Sequence, residues 1–270
     1  MSDNLPSQET VTGRFRPVAE ILVSLQFLTR IPVPFSRTID PVPLSQAMRF
    51  FSFAGALIAA ANGIVFLGLR YFQVPVLVAA AAAVAVGLMM TGALHEDGLA
   101  DSADGLFGGK TREQRLEIMR DSRIGTYGAS ALFLALIVRV SLFQSLAVLP
   151  TVNLLIIMAA AGAFSRAMMV DLLWASRPAR RDGLSALAGR PSRGTAFFAI
   201  LTGGALVIAV GLQLGHPEAG IVAIAIATAI TGLIRAMAGR LLGGQTGDIC
   251  GATQVLSELG ILMAFAAIFS

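Results

Sequence analysis

Long apolar runs separated by short polar breaks fill most of this chain. They occur at about 50–69, 74–94, 128–149, 152–175, 196–214, 219–239 and 252–269. Each run is close to the roughly 20 residues that an α-helix needs to cross a bilayer. The pattern predicts an all-α, polytopic helical bundle in a membrane, with six or seven transmembrane helices and a single domain over residues 1–270.

Both ends of this pattern are less regular. The apolar stretch 18–35 is short and contains Pro32 and Pro34, so we expect an interfacial or re-entrant helix there. Residues 1–17 are polar and of mixed charge, unlike a secretory signal peptide. The last run, 252–269, is either a seventh span, which would leave the C-terminus outside, or a re-entrant segment, which would leave it inside.

The composition agrees with a membrane protein. Hydrophobic residues make up 56% of the chain and charged residues only 13%, against about 25% charged residues in soluble domains. The only cysteine is Cys250, which excludes an internal disulfide and a cysteine-based metal cage. The sequence pI of about 10.2 does not indicate a nucleic-acid partner, because excess Lys and Arg in membrane proteins usually marks cytoplasmic loops.

The basic residues predict the orientation. Five Lys or Arg fall in each of three polar segments, residues 1–49, 95–127 and 176–195. The turns near 150–151 and 215–218 contain none, and the turn near 70–75 contains only Arg70. This alternation predicts three helical hairpins with the N-terminus and the large polar loops on the cytoplasmic side.

A few charges fall inside the apolar runs or near their ends: Arg139, Arg166, Asp171 and Arg235. Arg166 and Asp171 are five residues apart, a spacing that does not bring side chains together on one helix. We therefore expect each charge to have a partner on another helix or to face a polar cavity. The alternative is that the long side chains extend to the membrane surface from the ends of the spans.

The strongest candidate for chemistry is the segment 95–105, which reads His-Glu-Asp-Gly-Leu-Ala-Asp-Ser-Ala-Asp-Gly. On a helix, Asp97, Asp101 and Asp104 are spaced i, i+4 and i+7 and share one face. Three carboxylates so close repel each other unless a cation neutralises them. Oxygen ligands of this kind suit Mg²⁺ or Mn²⁺, and Mg²⁺ often bridges carboxylates to substrate phosphates. A solvated acidic loop is the alternative.

The sequence leaves the roles of three further residues open. Glu96 is interpreted as a metal ligand, as a residue that hydrogen-bonds to the ligands without contacting the metal, or as a solvated side chain. His95 is interpreted as a base, a group that orients a carboxylate or a structural histidine. Asp248 ends the polar island 243–248, where it either completes the metal site from another helix or belongs to a plain turn.

A basic segment follows the acidic one. Thr111 is a plausible N-cap for a short amphipathic helix with Leu116 and Met119 on its apolar side. Beyond it, Arg120 and Arg123 at i and i+3 would share a face, and arginine binds phosphate oxygens well. Candidate phosphate-binding residues are therefore Arg120, Arg123, the nearby Asp121 and Lys110. Ordinary positive-inside charge is the alternative.

Four strings together resemble the cobalamin (5′-phosphate) synthase family. They are residues 26–34, 95–105, 120–128 and 243–248, and they occur in the order and spacing of that family over most of the chain. The resemblance implies a Mg²⁺-dependent transferase of the bacterial inner membrane. Such enzymes join adenosylcobinamide-GDP to α-ribazole or its 5′-phosphate and release GMP, late in vitamin B12 assembly.

For this chain the resemblance implies particular roles and partners. The expected ligands of Mg²⁺ are Asp97, Asp101 and Asp104, helped by Glu96 and Asp248. Arg120 and Arg123 would hold phosphate oxygens, and His95 or a carboxylate would accept the hydroxyl proton. The expected partners are the two substrates, membrane lipid and other cobamide-assembly enzymes, with no nucleic acid.

Two other functions fit less well. A CDP-alcohol phosphotransferase would continue its Asp-Gly step as Asp-Gly-x-x-Ala-Arg, but Asp101 and Ser102 occupy the last two positions here. An ion or metabolite transporter would place charges near the middle of the membrane, whereas this chain concentrates them in its polar loops.

Overall fold

A computed structural model describes residues 15–32, 42–180 and 182–269. The predicted polar N-terminus up to residue 14, and Val33 and Pro34 of the first string, lie outside the described residues. The described chain forms helices α1 (Pro17–Leu28), α2 (Leu44–Ala47), α3 (Phe51–Tyr71), α4 (Val76–Thr91), α5 (Leu94–Gly108), α6 (Arg112–Ile118), α7 (Thr126–Leu146), α8 (Thr151–Ala175), α9 (Leu184–Ala188), α10 (Arg193–Gln213), α11 (Pro217–Leu242) and α12 (Gly247–Ala266). A 3₁₀ turn, Met48–Phe50, joins α2 to α3.

Six of the described helices are long and apolar enough to cross a membrane. They are the continuous segment Leu44–Tyr71, which comprises α2, the 3₁₀ turn and α3, together with α7, α8, α10, α11 and α12. The remaining apolar run, 74–94, forms the shorter α4, which with α5 makes one pair bent by 89°. The prediction of a polytopic helical bundle with six or seven spans is confirmed. The short α1 is apolar but has only 12 residues, so it cannot span a bilayer as a helix.

The bend between α4 and α5 has a local cause. Gly92 and Ala93 both adopt left-handed backbone conformations, with φ of 64° and 55°. A left-handed residue after the last helical turn ends a helix, and glycine adopts this conformation without strain. The amide of Ala93 donates to the carbonyl of Leu88 at 2.8 Å and closes the end of α4. The acidic segment therefore begins a new helix that turns away from α4, outside the six spans.

Helices α8 and α12 form the centre of the bundle. In their apolar windows 72% and 89% of the residues are buried, against 28% in α7 and α11. Helices α3 and α10 pack on α8, while α5 and α11 pack on α12. The contact between α3 and α8 is backbone to backbone, because a Cβ built on Gly55 would collide with the carbonyl of Gly162. Small residues allow helices to approach this closely in membranes.

The charges inside the apolar runs have partners on other helices. Arg139 of α7 pairs with Glu96 of α5 at 2.6 Å. Arg166 of α8 pairs with Glu258 of α12. The prediction of interhelical partners is confirmed by these pairs, and Arg235 lies 3.8 Å from Asp171 across α11 and α8.

The glycine contact between α3 and α8 can be tested with a matched pair of substitutions. Gly55→Ala should destabilise the protein by about 1–3 kcal/mol, because the new methyl group meets a backbone carbonyl that cannot move aside. Gly68→Ala, on the same helix with open space around it, should leave stability unchanged or slightly higher. Thermal unfolding in detergent measures both. Equal melting temperatures for the two variants would contradict the proposed packing.

Candidate active site

The acidic segment lies on helix α5, so the condition for Asp97, Asp101 and Asp104 to share a helix is met. Their side chains differ in environment. Asp97 is exposed and Asp101 is partly buried. Asp104 and Glu96 are buried, with 8% and 6% of their surface exposed. The predicted set of acidic ligands is thus divided between the accessible surface of α5 and its packed side.

The crossing of α5 and α12 brings a further carboxylate to this segment. A Cβ on Gly98 would lie 2.8 Å from the carbonyl oxygen of Asp248 and 3.2 Å from the Cα of Gly251. A Cβ on Gly251 would lie 3.0 Å from the carbonyl oxygen of His95. Because neither residue has a side chain, the two backbones touch. Asp248, on the first turn of α12, therefore lies beside the acidic segment of α5.

The electrostatics at this crossing favour a cation. The pKa of Asp101 is raised to about 7 by partial burial and then by the negative charges of Asp97, Asp248 and Asp104. The positive charge of Arg180 offsets only part of this effect. A carboxyl group held among like charges becomes easier to ionise when a metal ion binds nearby.

The described residues do not by themselves enclose a metal ion. Among them, no three histidine, cysteine or carboxylate side chains are close enough to hold one. Magnesium is usually bound by one or two carboxylates, with substrate phosphates and water completing its shell. The accessible pair Asp97 and Asp101, with Asp248 opposite, fits an ion that binds together with its substrate.

Asp104 is engaged in a structural contact. Its carboxylate accepts hydrogen bonds from the backbone amides of Gly125 and Gly128, at 2.7 and 2.9 Å. These amides are at the N-terminus of α7, where a carboxylate is favoured by the unpaired N–H groups and the helix dipole. A Cβ on either glycine would collide with the carboxylate. Both oxygens of Asp104 therefore already accept hydrogen bonds, while its predicted role as a metal ligand stays a prediction.

Glu96 is likewise held by the protein. Its carboxylate lies 2.6 Å from Arg139, whose other nitrogen lies 3.6 Å from Glu258. Glu258 also pairs with Arg166 and accepts a hydrogen bond from Gln254 at 2.6 Å. This buried ion network joins α5, α7, α8 and α12. The side chain of Glu96 belongs to this network, and its predicted role as an auxiliary metal ligand stays a prediction.

His95 lies between this network and a pocket. It is 1% exposed, and its Nε2 has no hydrogen-bond partner among the described residues. Burial, followed by the charge of Arg166, lowers its pKa to about 3, so the imidazole is neutral at pH 7. It lines a small pocket together with Asp97, Asp248 and Ser185, while most of the remaining wall is apolar.

The short helix after the acidic segment is present. Thr111 and Gln114 form a capping box at the start of α6, and Met119 is buried, as the pattern predicted. Lys110 is exposed, and its backbone amide donates to the side chain of Gln114 at 3.1 Å.

The predicted pair of phosphate-binding arginines is arranged differently. Helix α6 ends at Ile118, so the expectation that Arg120 and Arg123 share a helix face is wrong. Arg120 pairs with Asp182 at 2.6 Å, and Arg123 pairs with Asp121, in exposed positions. The hydrogen bonds from Arg123 lower the pKa of Asp121 to about 2. Contact of either arginine with phosphate would require exchange of its ion pair.

Sequence reasoning missed the segment between α8 and α9 as part of the site. The backbone amide of Gln245 donates to the carbonyl oxygen of Arg177 at 2.9 Å, and the amide of Ala179 donates to the carbonyl oxygen of Gln245 at 2.7 Å. A Cβ on Gly244 would collide with the carbonyl of Arg177. The next residue, Arg180, pairs with Asp248 at 3.4 Å. In the sequence this segment shows only positive-inside charge. The contacts that bring it to the site are made by backbone atoms, which leave no pattern of side chains.

Comparison with known proteins now decides the family. Residues 20–266 match the family described as Cobalamin-5-phosphate synthase. The chain belongs to this family. It is 41% identical over 251 residues to an adenosylcobinamide-GDP ribazoletransferase of Azorhizobium caulinodans, covering 92% of this chain and 95% of the relative. No solved structure matches the chain.

Other relatives carry the same name. Identity is 43% over 254 residues with the Sinorhizobium sp protein, covering 92% of this chain and 95% of the relative. It is 40% over 265 residues with the Bradyrhizobium diazoefficiens protein, covering 97% and 98%. The chain is thus a transferase of cobalamin biosynthesis, and the expectations of a CDP-alcohol phosphotransferase or a transporter lose their support.

The structural role of Asp104 predicts a loss of stability when its carboxylate is changed. Asp104→Asn should lower the free energy of unfolding by about 1–3 kcal/mol, because the amide nitrogen of asparagine cannot accept a backbone N–H. Asp101→Asn should leave stability unchanged or higher, because it removes a repelled charge. Thermal unfolding in detergent, without substrate or metal, compares the two. Equal stability of Asp104→Asn and the parent protein would contradict this role.

Proposed function

We propose that this chain is an adenosylcobinamide-GDP ribazoletransferase that uses Mg²⁺. The observation that supports the proposal is the crossing of α5 and α12, which places Asp97 and Asp248 at one pocket. Asp101 lies near enough to both for their charges to raise its pKa. Its relatives bear that name over nearly their whole length. Accessible carboxylates at a pocket mouth suit a substrate that carries a diphosphate and brings a metal ion with it.

The proposed reaction is a phosphoryl transfer. A hydroxyl oxygen of α-ribazole, or of its 5′-phosphate, forms a bond to the cobinamide-linked phosphorus of the diphosphate. The bond between that phosphorus and the bridging oxygen breaks, and GMP leaves with the bridging oxygen. The hydroxyl proton passes to a nearby carboxylate, because the lowered pKa of His95 makes the imidazole a weak proton acceptor. Such a transfer depends mainly on positioning and on neutralisation of charge.

Each residue of the site has a proposed role in this reaction. Asp97 and Asp101, with Asp248 from α12, would hold Mg²⁺, which when bound neutralises charge on the diphosphate. His95 lines the pocket, and its buried Nε2 has no hydrogen-bond partner among the described residues, so it would make a hydrogen bond to the attacking hydroxyl. The buried ion network and Asp104 would keep α5 in place against α7 and α12.

The site would face the cytoplasm of a bacterial cell from its inner membrane. Two polar segments come together with α6, because Arg112 donates to the carbonyls of Leu242 at 2.7 Å and Ala179 at 2.6 Å. The basic residues are concentrated in these same segments, as expected for the cytoplasmic side. The orientation agrees with that proposed for the large polar loops.

Release of GMP tests the reaction directly. The purified protein in detergent should convert adenosylcobinamide-GDP and α-ribazole 5′-phosphate to GMP and a new cobamide when Mg²⁺ is present. EDTA should abolish both products, and added Mg²⁺ should restore them. Chromatography of the corrinoid and nucleotide products measures the outcome. Absence of GMP from folded protein, or full turnover in EDTA, would contradict the proposal.

Substitution of the accessible carboxylates tests their role. Asp97→Ala or Asp101→Ala should lower kcat by about 10²- to 10³-fold, the size expected for losing one group that stabilises transition-state charge. Both proteins should melt at or above the temperature of the parent, since these side chains are accessible. Glu117→Ala, which removes an exposed carboxylate on α6, serves as the control. Turnover near the parent value in either aspartate variant would overturn the assignment.

A further inference from the structure

Two side chains that no step above uses lie near the pocket, Arg180 between α8 and α9 and Ser185 on α9. Arg180 follows the backbone contacts with Gln245, and its side chain is 15% exposed. Ser185, on α9, is 5% exposed and lines the same pocket as Asp97 and Asp248. Arg180 pairs with Asp248 at 3.4 Å, so both side chains lie beside this pocket carboxylate.

These two side chains have hydrogen-bonding atoms without partners. Within the described part of the chain, Nε and Nη1 of Arg180 and Oγ of Ser185 are buried and make no hydrogen bond. The Nη2 of Arg180 makes one ion pair, at 3.4 Å from Asp248. Buried N–H groups of a guanidinium are costly to leave unpaired, so this arrangement favours a ligand that accepts hydrogen bonds.

The position of Arg180 is set by the surrounding backbone. Arg112 holds the carbonyl of Ala179, the residue just before it, at 2.6 Å. Arg120 pairs with Asp182, two residues after it, at 2.6 Å. These contacts fix the backbone on both sides of Arg180, so less backbone entropy is lost when a ligand binds there.

Other basic side chains nearby are already engaged. Arg112 donates to two backbone carbonyls, Arg115 donates to Leu106, and Arg177 donates to Gly243 at 3.0 Å. Arg120 and Arg123 each have a carboxylate partner. Arg180 differs because two of its three nitrogen atoms are buried and unpartnered beside the acidic cluster.

We infer that Arg180 and Ser185 bind a phosphate group of the diphosphate substrate. Guanidinium groups bind phosphate oxygens through two parallel N–H donors, and the serine hydroxyl adds a third donor. The nearby carboxylates would repel a bare anion, so the phosphate would bind together with a divalent cation, which Asp97, Asp101 and Asp248 would hold. This inference rests on the proposed function for the identity of the substrate, but not for the chemistry of the site.

Binding of inorganic diphosphate tests the inference without requiring turnover. Isothermal titration with diphosphate and Mg²⁺ should show affinity about 10- to 100-fold weaker in Arg180→Gln than in the parent protein. Arg180→Lys should be intermediate, because it keeps the charge but not the paired donors. Ser185→Ala should weaken affinity by about 2- to 10-fold. Arg193→Gln, an exposed arginine of α10, should bind as the parent does.

The affinity for diphosphate is expected not to fall in Arg180→Gln if Arg180 only balances the charge of Asp248. Removing it would then make the pocket more negative, so affinity for Mg²⁺ would rise and affinity for diphosphate would stay the same or increase. That result, in variants with the melting temperature of the parent, overturns the inference. A raised KM for adenosylcobinamide-GDP in Arg180→Gln, larger than the change in kcat, supports it.

The two proposals fail in different ways. If the parent protein releases no GMP but binds diphosphate in a manner that depends on Arg180, the anion site stands and the proposed function fails. If the parent releases GMP and Arg180→Gln has unchanged KM and diphosphate affinity, the anion site fails and the proposed function stands.

Discussion

The direct backbone contact between α5 and α12 is the constraint on which the site depends. Gly98 and Gly251 leave no side chain between the two helices, so the first turn of α12 reaches the acidic face of α5. A methyl group at either position would have to displace backbone atoms of the other helix. Chemistry that needs Asp248 near Asp101 therefore requires small residues at the crossing as much as carboxylates beside it.

A buried ion network supports this crossing from inside the bundle. Two arginines and two glutamates, Arg139, Arg166, Glu96 and Glu258, join four helices in an environment where unpaired charges are costly. Because the network balances its own charges, it links α5 to the central helices without adding net charge beside the pocket. The partners also specify which helices are neighbours, since a different arrangement would leave a charge unpaired in the apolar interior.

The acidic segment illustrates how one helix serves two purposes. On its accessible side Asp97 and Asp101 remain available, and on its packed side Asp104 caps α7 while Glu96 enters the network. Repulsion among the remaining carboxylates, seen in the raised pKa of Asp101, favours binding of a cation. Arg180 lies close enough to moderate that repulsion and still has free donors.

The sequence by itself determined the helical membrane architecture, the helix that carries the acidic segment and the capped helix α6. These depend on local composition, hydropathy and residue spacing, which neighbouring residues determine. The family was also recognisable from four strings in order, and the match over residues 20–266 confirms it. Interhelical pairing of the charges within the apolar runs followed from the cost of leaving them alone in lipid.

Only the tertiary structure decided which polar side chains are available. Residue spacing puts Asp97, Asp101 and Asp104 on one face of a helix. It could not reveal that the backbone amides of Gly125 and Gly128 donate hydrogen bonds to the carboxylate of Asp104. Nor could it place Arg180 near the acids, because backbone contacts with Gln245 bring that segment in. Contacts between residues distant in the chain depend on how helices pack, and periodicity along one helix carries no information about its neighbour's backbone.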